Sequence, residues 1–242
     1  MKNFTPIVLY EDNHLLIVDK PAGMLVQGDQ TRDTPLVDHC KEYIKKKYDK
    51  PGAVFLGVIH RLDRPVSGVV AFARTSKALE RMNKLFKDRK VNKTYWAIVK
   101  DRPKKREMKL VNYLIKDGSK NTVEAHRIPV EGGLKAELNF KSLGYLNEHY
   151  MLEVKPITGR PHQIRVQLAD MGCPIRGDLK YGFPRPNTDK SICLHSRKLE
   201  FIHPIKNEPV MAIAGVPRND FWEQFLVLDN QKVNDKKLGY MQ

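Results

Sequence analysis

The chain has 242 residues, 41% of them hydrophobic and 29% charged, enough to bury a sizeable core as one large domain or two small ones. Forty-three Lys and Arg against 28 Asp and Glu leave a formal charge of +15, a field that attracts polyanions, nucleic acid foremost, although a basic surface kept for solubility is the competing reading. Three scattered cysteines (Cys40, Cys173 and Cys193) argue against a disulfide framework or a Cys/His zinc site, and no run is apolar and long enough for a signal peptide or a membrane span, so a cytoplasmic protein without membrane contact is expected.

In chain order, IVLY and LLIV (15–18) read as short strands bounded by EDNH and DKPAG. Thr34-Pro35 predicts a helix start, with a capping hydroxyl and then proline at the first helical position. Leu36, Val37, Cys40, Tyr43 and Ile44 follow at helical spacing, Lys45, Lys46 and Lys47 suit the negative end of the dipole, and Pro51-Gly52 ends the element. VFLGVI (54–59) and GVVAFA (68–73) look like buried strands, and KALERMNKLFKDRK (77–90) like an amphipathic helix with Leu79, Met82 and Phe86 on one side and a basic face opposite. KTYWAIVK (93–100) predicts a strand and DRPKKREMK (101–109) a basic loop.

Strand-like segments then dominate: VNYLIK, NTVEAHRI, KAELNFKSLG and YMLEVKPI, without long helices between them, which favours hairpins over a doubly wound parallel sheet. RPHQIRVQLADMG (160–172) predicts a short helix with Pro161 in its first turn and Gly172 after its end. ICLHSRKLEFIHP and PVMAIAG read as late strands, and FWEQFLVL (221–228) as a terminal helix. The expected class is α+β, an extended mixed and mostly antiparallel sheet with flanking helices and a central cleft. The expected extent is one domain over residues 1–230, followed by a loose tail at 231–242.

Two clusters carry chemistry. In HRLDRPVSG (60–68), Arg61 and Arg64 flank Asp63 between two apolar runs, and cationic neighbours favour an ionised carboxylate available as nucleophile or base. Pro65 and Gly68 suit a tight bend, with Ser67 as a source of a fixing hydroxyl bond. A surface salt-bridge loop explains the same residues equally well. In PITGRPHQIRVQLADMG, Arg160, His162, Gln163 and Arg165 crowd a helix start, where positive charge opposes the macrodipole and therefore suits an anion, either a phosphate or a carboxylate such as Asp63. Tyr95 and Trp96 point to opposite faces of a strand; one of them is a candidate to stack on a nucleobase, and periodicity does not choose between them. Metal-ligand spacings, G-x-S-x-G, a Walker loop and a nicotinamide fingerprint are all missing from the sequence, so the expected reaction uses no metal, redox cofactor or nucleotide.

HRLDRPVSG resembles the HRLDxxTSG motif of the RluA-type branch of the RNA pseudouridine synthases. YEDNHLLIVDKPAGMLV is similar to that family's opening motif, VNKTYWAIV to its tyrosine motif, ITGRPHQIRVQLADMGCPIRGDLKYG to TGRxHQIRxHL…GDxxYG, and LHSRKLEFIHP to LHAxxLxFxHP, all in the family order from about residue 7 to about residue 215. Val66, Pro161, Gln167 and Ser196 depart from the usual Thr, Thr, His and Ala. The resemblance implies conversion of uridine to pseudouridine in structured RNA, with rRNA or tRNA stem-loops as substrate, a monomer as default, and no S4-like module ahead of the catalytic motifs. It implies Asp63 as the catalytic carboxylate, Arg165 as its pairing partner and Tyr95 as the ring against the base. Arg61 would fill the space left by the flipped base, His60 would support the loop or touch RNA, and Ile164 would line the pocket. Arg64, Arg160, His162 and Gln163 would contact RNA. A non-catalytic RNA-binding or ribosome-assembly protein with the same fold is the alternative. A hydrolase would need a second carboxylate, for which Asp178 is the candidate.

Overall fold

The computed structural model describes residues 4–229. In chain order they form β1 (Ile7–Glu11), β2 (Leu15–Lys20), α1 (Leu36–Lys47), β3 (Gly57–Val58), β4 (Ser67–Ala73), α2 (Ser76–Lys87), β5 (Asn92–Val99), β6 (Glu107–Asp117), β7 (Thr122–His126), β8 (Leu134–Leu146), β9 (His149–Pro156), α3 (Gln163–Asp170), β10 (Leu194–Ile202), β11 (Pro209–Ile213) and α4 (Asp220–Glu223). A 3-10 turn covers Leu179–Tyr181. The class is α+β, with mixed and mostly antiparallel pairing. The described residues divide into two compact units, 4–94 with 195–215, and 95–194 with 216–229.

In the first unit the strands run β1-β2-β4-β10, with β11 on β10 and β3 on β4. β4 is buried at every position, which explains why it reads as an unbroken apolar run rather than an alternating one. One face packs Leu15, Ile17, Val69, Ala71, Leu199 and Ala212 against Ala78 and Met82 of α2. Thr75 caps α2 by accepting the Ala78 amide at 3.2 Å. The predicted start of α1 needs correcting: Pro35 is the capping residue, in extended conformation, and the Thr34 hydroxyl plays no part. The amides of Leu36 and Val37 instead donate to the carbonyls of Leu25 and Val26 at 2.7 and 3.1 Å, so the preceding loop satisfies the orphan donors. VFLGVI shrinks to the two residues of β3, which meet only the end of β4 at Ala73 and Phe72.

The second unit is an antiparallel sheet in the order β5-β9-β8-β6-β7, in which the β6–β7 and β8–β9 hairpins that the uninterrupted strand signals predict are joined through β6 and β8. The tail of the predicted basic loop, from Glu107, already belongs to β6. Val166 of α3 packs with Leu114, Val123 and Ala136. α3 begins at Gln163 with His162 as its left-handed cap at φ 50°, so Pro161 precedes the helix rather than lying in its first turn. FWEQFLVL breaks into α4 and a second helical stretch at 226–229. The Phe225 amide bonds back to Trp222 at 3.1 Å, and both rings are buried, which tightens the chain between them. The expected tail at 231–242 lies outside the described residues.

Candidate active site

The acidic loop joins β3 to β4 in the first unit. The carbonyl of Asp63 accepts the Val66 amide at 3.0 Å, which closes a turn with Arg64-Pro65 at its corners. Leu62 and Val66 are buried on either side, Asp63 is half-buried and Arg61 is exposed. Hydrophobic anchors therefore hold a charged segment at the surface.

His60 roots this loop. Its Nε2 accepts the Ala71 amide at 3.0 Å, and its ring stacks on Phe86 at 5.0 Å between centroids. Burial, with a contribution from the Lys93 charge, pushes its pKa down to about 4. The ring is thus neutral at pH 7, with its proton on Nδ1, since Nε2 is an acceptor. His60 braces the strand rather than moving a proton.

Arg64 bonds to the protein on both its backbone and side-chain sides. Its carbonyl accepts the Gly23 amide at 2.8 Å, its Nε donates to the Gly23 carbonyl at 3.0 Å, and its Nη2 pairs with Asp33. Lys20, fully buried, donates from Nζ to the carbonyls of Met24 (2.8 Å), Pro21 (3.0 Å) and Arg64 (3.2 Å). Burial pushes the Lys20 pKa down to about 7, against the opposing attraction of Asp63. The KPAG turn and the acidic loop are therefore one hydrogen-bonded assembly, a role for Lys20 that the sequence reading leaves unassigned.

Ser67 does not fix the bend. Its hydroxyl lies 2.9 Å from Nδ1 of His195, across the parallel register that pairs Ser67 with His195 and Gly68 with Ser196. Gly68 has φ +111°, and a Cβ there would lie 2.2 Å from the Ser196 carbonyl oxygen. The glycine that looks like a turn residue is required by the close approach of two strands.

In the second unit, β5 buries Trp96 in the core and leaves Tyr95 half-buried, opposite Val154. The residues before α3 are bound mainly to their own unit. The Gln163 amide oxygen accepts from the Thr158 hydroxyl (2.7 Å) and the Arg160 amide (3.0 Å), and its nitrogen donates to the Glu137 carbonyl (3.0 Å). Arg160 Nε donates to the Lys135 carbonyl at 3.2 Å. His162 Nδ1 lies 2.7 Å from the Tyr181 hydroxyl. Ile164 is buried.

Arg165 is also buried, and it grips Asp178 at two points, Nε to Oδ2 at 2.7 Å and Nη2 to Oδ1 at 2.9 Å. The Tyr181 ring centre lies 5.0 Å from its guanidinium carbon. Asp178 is thus tied up in an ion pair. Asp178 and Tyr181 both come from RGDLKYG, and this partnership is the part of the site that the sequence reading missed. Among the departures, Gln167 is buried and donates to Asn112 at 2.8 Å, and Ser196 lies in the β4–β10 contact.

A family model described as RNA pseudouridylate synthase matches residues 14–170. An uncharacterized RNA pseudouridine synthase of Synechocystis is 33% identical over 234 residues, covering 93% of this chain and 69% of that protein. The ribosomal large subunit pseudouridine synthase D of Xanthomonas campestris is 34% identical over 233 residues, 88% of this chain and 66% of that one. The chain thus spans about two thirds of the length of these two relatives. The tRNA pseudouridine synthase C of Vibrio cholerae is 30% identical over 239 residues, 90% of this chain and 93% of that one. The fold matches human RNA pseudouridylate synthase domain containing 4 with a TM-score of 0.75 at 24% identity, covering 92% of each chain. The match runs through the acidic loop, the tyrosine strand and α3, and the chain belongs to the RNA pseudouridylate synthase family.

Proposed function

We propose that this chain isomerises uridines of structured RNA to pseudouridine, acting as a monomer on stem-loops of rRNA or tRNA. The observation that carries the reading is the acidic loop: Asp63 stands half-exposed on a turn whose flanks are pinned by Lys20, His60 and Arg64, within the segment matched by the family model. A carboxylate on a rigid support suits a reaction that depends on positioning. The relatives named for large-subunit rRNA and for tRNA support both substrate classes.

In this reading the uridine N1–C1′ bond breaks, the base turns, and C5 bonds to C1′; the C5 proton leaves and N1 gains one. Asp63 acts at the ribose, either attacking C1′ or removing a ribose proton to give a glycal. Tyr95, the partly accessible aromatic of β5, lies against the base and is the candidate for taking the C5 proton. Arg165 orients the catalytic carboxylate, and its bond to Asp178 suits that task because the pair fixes the guanidinium in one plane. Flipping the uridine costs a few kcal/mol, offset by RNA contacts among which exposed Arg61 fills the vacated place in the stack.

Tritium release tests this directly. Wild-type protein and Asp63→Asn are incubated with RNA carrying tritium at uridine C5, prepared from cells lacking the gene. Release by wild type alone is expected. Binding of the same RNA without release by either protein would replace the isomerase with a non-catalytic RNA-binding protein.

A further inference from the structure

The segment from Lys77 to Lys93 holds seven Lys and Arg against two Asp and Glu. One of the two acids, Asp88, is engaged by Lys84 at 2.9 Å. Beyond it the chain turns with Arg89 in the left-handed region at φ 57°, its amide donating to the Phe86 carbonyl at 3.2 Å and the Lys90 amide to Leu85 at 2.9 Å. Glycine ordinarily takes this position at a helix end. Here it holds an exposed arginine, with exposed Lys87 and Lys90 alongside and half-buried Lys93 at the start of β5.

The negative end of the α2 dipole accounts for only part of this charge. Cations there gain only within the last turn and in solvent. Lys93 is drawn inward instead. Burial, and then the charge of Arg89, disfavour its ammonium form, and its own charge reaches the neutral His60 ring. Among the described residues no carboxylate lies within ion-pair distance of Lys93, Arg89 or Lys90. Asp88 is neighbour to this group and feels the charge of Lys90, but its ion pair is with Lys84; three cations that outnumber it, one of them partly desolvated, are complementary to an anion that arrives from outside.

The place fixes which anion. His60 stacks on Phe86, whose carbonyl holds the Arg89 turn, and His60 is three residues before Asp63. Three residues of chain span at most about 11 Å, so the cluster lies beside the acidic loop, and both belong to the first unit, which runs to Thr94 and so takes in the first residues of β5. We propose that Lys93, Arg89 and Lys90 form a binding site for a backbone phosphate of the RNA strand that carries the target uridine. This rests on the isomerase reading for the identity of that strand. The site fixes the register of the strand over Asp63 without reading its sequence, as phosphate contacts do.

The test is the salt dependence of binding to fluorescein-labelled twelve-residue oligouridylate, by anisotropy, for wild type, Lys93→Gln, Arg89→Gly and Lys46→Gln. Lys46 is an exposed lysine of α1 and serves as the equal-charge control. The slope of log affinity against log salt is expected to fall by roughly 0.7 for each phosphate-binding cation removed, and to stay at the wild-type value in Lys46→Gln. Melting temperatures of Lys93→Gln and Arg89→Gly should hold or rise, because one change relieves a crowded ammonium and the other a left-handed arginine. A purely structural role would lower them. Unchanged slopes in both variants, or an equal fall in Lys46→Gln, would overturn the site. Tritium release by wild type, run alongside, separates the two readings. Falling slopes without any release keep the phosphate site and remove the isomerase, whereas release with unchanged slopes does the reverse.

Discussion

Arg165 and Asp178, thirteen residues apart in sequence, meet in a two-point ion pair at 2.7 and 2.9 Å with both side chains almost entirely out of solvent. A buried pair of this kind contributes little net stability against an apolar substitute, but breaking it leaves one charge uncompensated. Asp178→Asn is therefore expected to lose about 3–5 kcal/mol of unfolding free energy in urea. Arg165→Met combined with Asp178→Leu should recover most of that stability and show no tritium release. Recovery of release in the double variant would show that the pair serves folding alone.

Gly68 faces the backbone of β10, with a would-be Cβ 2.2 Å from the Ser196 carbonyl oxygen and φ at +111°. Neither strand yields without losing the register that pairs Ser67 with His195. Gly68→Ala should cost about 4 kcal/mol or more. Gly23→Ala has a similar positive φ but open space around it, and should cost about 1–2 kcal/mol. Equal losses in denaturant melts would mean that the strand contact is not the cause.

The elements legible in the sequence are those whose signal is local. α2 shows its apolar stripe at Leu79, Met82 and Phe86, and the hairpins of the second unit show one strand signal after another. What the sequence conceals is set by distant partners. The α1 cap moved from Thr34 to Pro35 because Leu25 and Val26 satisfy the first amides. Arg64 and Gln163 look like RNA ligands by charge and polarity, yet the side chain of each is bonded to its own unit by groups up to 41 residues away. The acidic loop itself was legible as a motif, whereas the buried lysine beneath it, 44 residues from the Arg64 carbonyl it binds, was not.

Asp12 controls the β1–β2 corner. Its carboxylate accepts the amides of His14 and Leu15 at 2.8 Å each, the Tyr10 hydroxyl at 3.0 Å and Lys206 at 2.8 Å. Burial pushes its pKa up, but bonds from Lys206, the two amides and Tyr10 outweigh burial and hold it well below the usual carboxylate value of 3.8. A depressed folded value stabilises the fold above the unfolded pKa and is lost as pH falls below it. Asp12→Asn should thus cost about 2–3 kcal/mol at neutral pH, with the gap to wild type narrowing below about pH 4. A gap that is constant down to pH 2 would assign the loss to shape rather than charge.

Lys20 behaves with the opposite sign. Its folded pKa, lowered from 10.5 to about 7, means that between those values the unfolded chain holds a proton that the folded chain has released. Stability therefore rises with pH across that window, in proportion to the difference in bound protons. Lys20→Met removes this term, so the stability of wild type relative to the variant should climb from about pH 7 and level off near pH 10 in urea melts at each pH. The three carbonyls at Pro21, Met24 and Arg64 lose their common donor in the variant, which loosens the turn beneath Asp63. Tritium release should fall more than RNA binding does, because the lysine touches the support of the acid and not the strand. Parallel pH curves for the two proteins would mean that the three carbonyls keep Lys20 fully charged, and that its role is hydrogen bonding alone.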